Sequence, residues 1–339
     1  MNLTEFLGLR EVRDRIKPLR PKGKRRISVP VRVPATDGKR SPLVGTAFDY
    51  LLRFELLRRA PHAKARPWIA ELVPALMTLR PDAVAGSLNP SPDRTAFTTA
   101  IGEAPRRVQQ VIDDAKKDVA AFRQSATPDG ETIATVAGHA LRLAKLDCFV
   151  RVRFFDATFQ QAAAEDIETL TRLLAIVPFD QLAHPEVLML NPTFGDASRE
   201  VGGADADIIA GDMLVDVKTR KDAEVDSTTL DQLLGYLILA RRHRKQDQSF
   251  PEIRRVGVYL SRYGHLWTAA ASDWTSHPVF AEVEQWFFEK AGQVVPMAAL
   301  RLPALAFVPG AAPGLPAPPW LDRPCLTAGP IAIPAKSQQ

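Results

Sequence analysis

Cysteine is nearly missing from this chain: the 339 residues contain two, Cys148 and Cys325, far apart. Two distant thiols cannot set up a disulfide framework or a zinc site, and a reducing cytoplasm is the expected compartment. The six histidines show no H-E-x-x-H spacing, which removes the common helical zinc motif. No G-x-x-x-x-G-K-[ST] occurs, so the chain carries no visible ATP motor. It also lacks a run of eighteen apolar residues, and no membrane-spanning helix is expected. The start, MNLTEFLGLREVRDRIK, has no apolar core behind a basic end, so no signal peptide is read there. There is no internal repeat.

What is present is ordinary in bulk and uneven in detail. Apolar residues make up 46% and charged residues 24%, the balance of a globular protein with one large domain or two modest ones. Residues 1–66 hold 17 Lys/Arg and 6 Asp/Glu, a balance of +11 in a chain of +5, so the remainder carries −6. The densest basic cluster, KPLRPKGKRR over 17–26, includes Lys22, Lys24, Arg25 and Arg26. It reads either as a solvated extension or as an arm that neutralises phosphates. Prolines at 18, 21, 30 and 34 suggest an irregular basic arm over residues 1–43, with one short strand in RISVPVRV. From 296 onward ten prolines in 44 residues suggest an extended or disordered tail.

Between those ends the apolar period is that of helices first. Phe48, Leu51, Leu52, Leu56 and Leu57 predict a helix over 44–60, stopped by Pro61. Further helices are expected at 67–80, 105–123, 131–150 and 164–177. The period then changes, with a strand and turn at 187–195, a hairpin around Gly211-Asp212, and a helix over 226–244 behind Asp226 or Ser227 as N-cap. Two strands around SRYGH (254–271) and a helix over 278–292 complete the series. The order predicts one α/β domain over 44–295 with a helical insertion around 67–180.

The hairpin GGADADIIAGDMLVDVKT (202–219) places acids where strand formers belong. With the turn at Gly211-Asp212, Ile208 faces Val215, Asp207 falls opposite Asp216, and Asp205 falls opposite Lys218. Alternation puts Asp205, Asp207, Asp216 and Lys218 on one face, and Ala206, Ile208, Val215 and Val217 on the other. Opposed Cβ atoms lie about 5 Å apart, so paired carboxylates repel unless a cation stands between them. Mg²⁺ or Mn²⁺ suits such oxygens, and carboxylates, a hard cation and a lysine on one surface point to phosphodiester hydrolysis. Tyr259, Tyr263 and Trp267 offer rings for stacking on bases or for packing in the strand pair.

Asp207, then Asp216-Val217-Lys218 on the next strand, followed by Gln232 and Tyr236 in a Q-x-x-x-Y spacing, resembles the PD-(D/E)xK nuclease superfamily in its RecB-like branch, which includes Cas4-type and lambda-exonuclease-like enzymes. Gly45-Thr-Ala-Phe-Asp49 is similar to that branch's G-x-x-x-H helix motif, with Asp49 in place of His. The resemblance spans about 44–60 and 187–290. It implies a restriction-endonuclease-like core, a mixed central β-sheet flanked by helices. It further implies Asp207, Asp216, the Val217 carbonyl and Asp49 as metal ligands, with Mg²⁺ or Mn²⁺ as cofactor. Lys218 would orient water and the scissile phosphate, and Gln232 and Tyr236 would contact metal-bound water or the DNA backbone. Glu55 lies about 240° around the helix from Asp49, which sets the two apart. The activity implied is metal-dependent cleavage of DNA in prokaryotic defence or repair, with room for a targeting or motor protein in trans. The other readings are a non-catalytic nucleic-acid-binding or scaffolding subunit, and a nuclease acting on RNA.

Overall fold

The segment Met213–Lys218 (β4) is buried on both faces, and the molecule is arranged around it. A computed structural model describes residues 1–22, 26–35, 41–79, 94–152 and 155–295; Lys24, Arg25 and the Pro-rich stretch after 295 lie outside these. β4 turns back on β3 (Ile208–Ala210) with Ile208↔Val215, Ile209↔Leu214 and Ala210↔Met213 in register. This is the pairing that the Gly211-Asp212 turn predicts. Gly211 has φ +62°, which only glycine adopts without strain, and its missing Cβ leaves room for the His184 ring. Before the hairpin come β1 (Lys64–Ala65) and β2 (Leu188–Leu190); after it come β5 (Arg255–Leu260) and β6 (His265–Ala270). The sheet runs β1-β2-β3-β4-β5-β6, with β1–β2 and β4–β5 parallel and the other pairs antiparallel.

A parallel pair needs a long crossover. The helix Ser227–Gln246 supplies it between β4 and β5, with Asp226 as N-cap accepting from the Thr229 N–H at 2.8 Å. Strand alternation feeds two cores. Ile208, Ala210, Met213, Val215 and Val217 pack with helices Ser41–Arg59, Arg94–Gln124, Gly130–Val152 and Ala164–Ala175. Ile209, Leu214, Val256, Val258 and Leu260 pack with the crossover helix, Phe280–Val294 and the N-terminal segment. The molecule is therefore α/β, a six-stranded mixed sheet between helices. Among the described residues no helix is long and apolar enough to cross a membrane.

Several local expectations need correction. The first residues are not an irregular arm: Leu3–Leu7 and Arg10–Ile16 are helices, with Asn2 and Glu5 forming a capping box. Leu3, Phe6, Leu7, Val12, Ile16 and Leu19 belong to the second core. Gly235 lets this segment approach, since a Cβ there would stand 3.1 Å from Leu3 Cδ1. RISVPVRV forms no strand: it makes an isolated bridge Arg26↔Glu224, a backbone bond from Ile27 to the Ala223 carbonyl, and backbone bonds from Arg32 and Val33 to the Arg262 carbonyl. The helix expected to start near Pro105 runs Arg94–Gln124 with that proline inside it. Of the strand and turn expected over 187–195, the strand is Leu188–Leu190, and Gly195–Glu200 after it is a short helix that was not expected.

Candidate active site

β4 ends beside the Asp49 helix (Ser41–Arg59), and a cavity of about 490 Å³ opens between them. Asp49, Gly45 and Ser41 line one side, and Val217, Thr219, Arg220 and Lys221 line the other. Asp216 sits behind this cavity, 2% exposed, and Lys218 Nζ lies 3.1 Å from its Oδ1 and 2.9 Å from its Oδ2. The Oδ2 contact is an ion pair without hydrogen-bond alignment, so this buried oxygen has no hydrogen-bond partner. Lys218 Nζ also donates to Gln232 Oε1 at 3.0 Å, and Gln232 Nε2 donates to the Tyr236 hydroxyl at 2.8 Å. Asp216, Lys218, Gln232 and Tyr236 thus form one polar chain. Gln232 and Tyr236 stand on one face of the crossover helix because i and i+4 are neighbours there.

Asp207 joins from β3 by a different route from the one the alternation suggested. The β3–β4 ladder ends at Ile208↔Val215, and the chain before it pairs instead with 192–193. Ala206 consequently packs in the core opposite to that of Ile208, and Asp205 is exposed rather than opposed to Lys218. The Asp207 carboxylate accepts from the Val217 N–H at 2.7 Å. Asn191, at φ +51°, donates its N–H to the Asp207 carbonyl at 2.9 Å. The Val217 carbonyl lies along the same strand edge as its N–H, toward Asp207.

The electrostatics follow from burial and from like charges sharing a site. Burial, then the Asp49 and Asp216 charges, push the Asp207 carboxyl well above its ordinary range. Burial raises Asp216 too, against the pull of Lys218. Burial raises Asp49 to about 7, against the charges of Arg53, Arg151 and Lys218. Burial pulls the Lys218 ammonium down, but Asp216 and Asp207 outweigh it and hold it above its usual value. Lys218 therefore stays charged at neutral pH, which suits holding an anion rather than taking a proton from water. Burial and the same carboxylates raise Tyr236 well above 10. Its oxygen accepts from Gln232, so its proton remains free to donate.

Hard carboxylate oxygens, an orphaned buried Asp216 oxygen and mutual repulsion fit a divalent cation in kind and charge. Asp49, Asp207 and Asp216 are the side chains that would hold one, with the Val217 carbonyl beside them. As placed, no three His, Cys, Asp or Glu side chains among the described residues stand close enough to enclose one ion together. Asp207 is turned to a backbone N–H and Asp216 to Lys218.

Other candidates lie elsewhere. Glu55 is used by Arg58 and Arg59, with contacts of 2.6 Å. Tyr259 is fully buried and cannot stack on a base. Lys22 and Arg26 are exposed, and Arg26 lines a second cavity of about 620 Å³ that also contains Asp222 and Glu224, a poor lining for phosphate. Sequence reasoning missed Arg53 and Arg151. Both lie four residues after an aspartate, Asp49 and Asp147, and that repeated spacing was the available signal. No family model, curated protein or solved structure matches the chain.

Proposed function

We propose that the chain is a metal-dependent nuclease with a restriction-endonuclease-like core of the PD-(D/E)xK kind, hydrolysing DNA phosphodiester bonds. The observation that carries this reading is convergence. Asp49, Asp207 and Asp216-x-Lys218 come from separate elements near enough for their charges to act on one another, and Lys218 leads on to Gln232 and Tyr236. Mg²⁺ or Mn²⁺, when bound, supplies Lewis-acid polarisation of the phosphate and a lowered water pKa. The chain's own residues do the rest. The Lys218 ammonium neutralises charge on the phosphoryl oxygens, and Gln232 fixes that ammonium from behind. The Tyr236 hydroxyl donates to a non-bridging oxygen or a water. A basic surface that recruits DNA, a targeting partner, and a place in prokaryotic defence or repair belong to the same proposal.

The test is cleavage of linear and circular DNA with Mg²⁺, Mn²⁺ or EDTA. Asp216→Asn and Lys218→Met each lower the rate by at least about 100-fold while a cooperative melting transition is kept. Chelator-insensitive cleavage, or a variant as fast as the parent, refutes the reading. A second reading is favoured by the turning of Asp207 and Asp216 onto internal partners: a nucleic-acid-binding subunit with an idle core. It predicts DNA binding without cleavage under every metal condition. RNA in parallel assays separates the two substrates.

A further inference from the structure

Two guanidinium groups outside the proposed catalytic set stand near Asp49, on the helical side of the cleft. Tyr50, fully buried, donates its hydroxyl to Asp147 Oδ1 at 2.6 Å, locking the Asp49 helix to Gly130–Val152. Asp147 is itself 2% exposed, and its Oδ2 lies 3.5 Å from Arg151 Nε one turn later. On the other side of Tyr50, the Arg53 guanidinium lies 4.4 Å from the ring centroid while its Nε donates to the Asp49 carbonyl at 3.0 Å. Each arginine is thus anchored through Nε. Among the described residues, the terminal nitrogens of neither make a hydrogen bond. Both charges act on Asp49, and the Arg151 charge acts on Asp205 as well.

Held stems with free forks are the arrangement that recognises a phosphate. We propose that Arg53 and Arg151 form a phosphate-binding pair that grips the sugar-phosphate backbone of a nucleic acid next to the carboxylate cleft. This rests on the nuclease reading for the class of ligand, but not on cleavage itself. The pair explains how a cleft carrying three carboxylates admits a polyanion. It also assigns the helical insertion a part in binding, since Arg151 comes from it.

The test uses the full chain and a fluorescent single-stranded DNA oligonucleotide, with anisotropy read in EDTA over a range of salt. Arg53→Gln and Arg151→Gln each weaken binding about tenfold and lower the slope of log affinity against log salt by about one. Arg151→Lys keeps the slope. Arg254→Gln, beside the hairpin turn at the other end of β5 from Leu260, changes neither. Arg151 is exposed, so its variant folds even if Arg53→Gln does not. An unchanged slope in folded Arg151→Gln overturns the pair, as does a parent chain that binds no oligonucleotide. Binding with the expected slopes but no cleavage leaves the pair standing and refutes the nuclease reading; cleavage with unchanged slopes refutes the pair alone.

Discussion

At the residue scale, three carboxylates are kept close to one lysine, and each shift has a direction that can be measured. Asp49 titrates near 7 because burial outweighs the cations around it. A carboxyl whose pKa is higher in the folded state than in the unfolded state, about 3.9, binds extra protons when native, so stability falls as pH rises between the two values. In EDTA, Asp49→Asn removes that loss. The melting temperature of the variant gains on the parent from about pH 4 to 7 and then holds a constant lead. A lead that shrinks as pH rises contradicts this environment for Asp49. Tyr236 gives a second handle, because its ring packs 5.8 Å from that of Phe194 while its hydroxyl belongs to the polar chain. Tyr236→Phe keeps the packing, and cleavage falls about tenfold for one lost charge-assisted bond, with the melting curve held. Helical spacing and strand alternation, both local, let the sequence place Asp216 with Lys218 and Gln232 with Tyr236; the expected Asp207↔Asp216 pairing failed because the ladder ends at Ile208↔Val215. Arg151 was not legible, because nothing near it in the chain says which cleft its helix will border.

At the element scale, the N-terminal segment is the largest departure from expectation. Its charges disguised a helical apolar stripe, and one of its arginines is structural. Arg20 donates Nε and Nη2 to the two Asp231 oxygens at 2.6 Å each, pinning the segment to the crossover helix one residue before Gln232. Asp231 is 3% exposed, so Arg20→Ala strands a buried charge and costs about 3 kcal/mol in urea unfolding. The double variant with Asp231→Leu recovers part of that loss; if Arg20→Ala alone is neutral, the pair is not holding the segment. Deleting residues 1–19 therefore uncovers apolar surface on the crossover helix and lowers solubility, where a detached arm would only have changed the salt dependence of binding.

At the scale of the whole molecule, one sheet divides its alternate side chains between two cores, so neither core can open while the other stays intact. Leu214, fully buried in the second core, neighbours Val215 in the first. Leu214→Ala is expected to cost about 3 kcal/mol and to preserve a single transition. Far-UV circular dichroism and tryptophan fluorescence, with Trp68 packed on the first core and Trp274 in the second, should give coincident curves. Separate transitions would mean that the helical side unfolds alone.

The sequence by itself determined the hairpin register from Ile208 to Val215, the crossover helix with its Asp226 cap, the two strands around SRYGH, and the α/β class. Each of these is written in turn chemistry, alternation or 3.6-residue spacing among neighbours in the chain. Only the tertiary structure decided that Asp49 and Arg151 reach the carboxylates of β3 and β4, that Asp207 turns to the Val217 N–H, and that the first nineteen residues fill a core. Those outcomes depend on how helices distant in sequence pack across the sheet. Packing is settled by the shape and burial of the whole set, and no short stretch of chain carries that information.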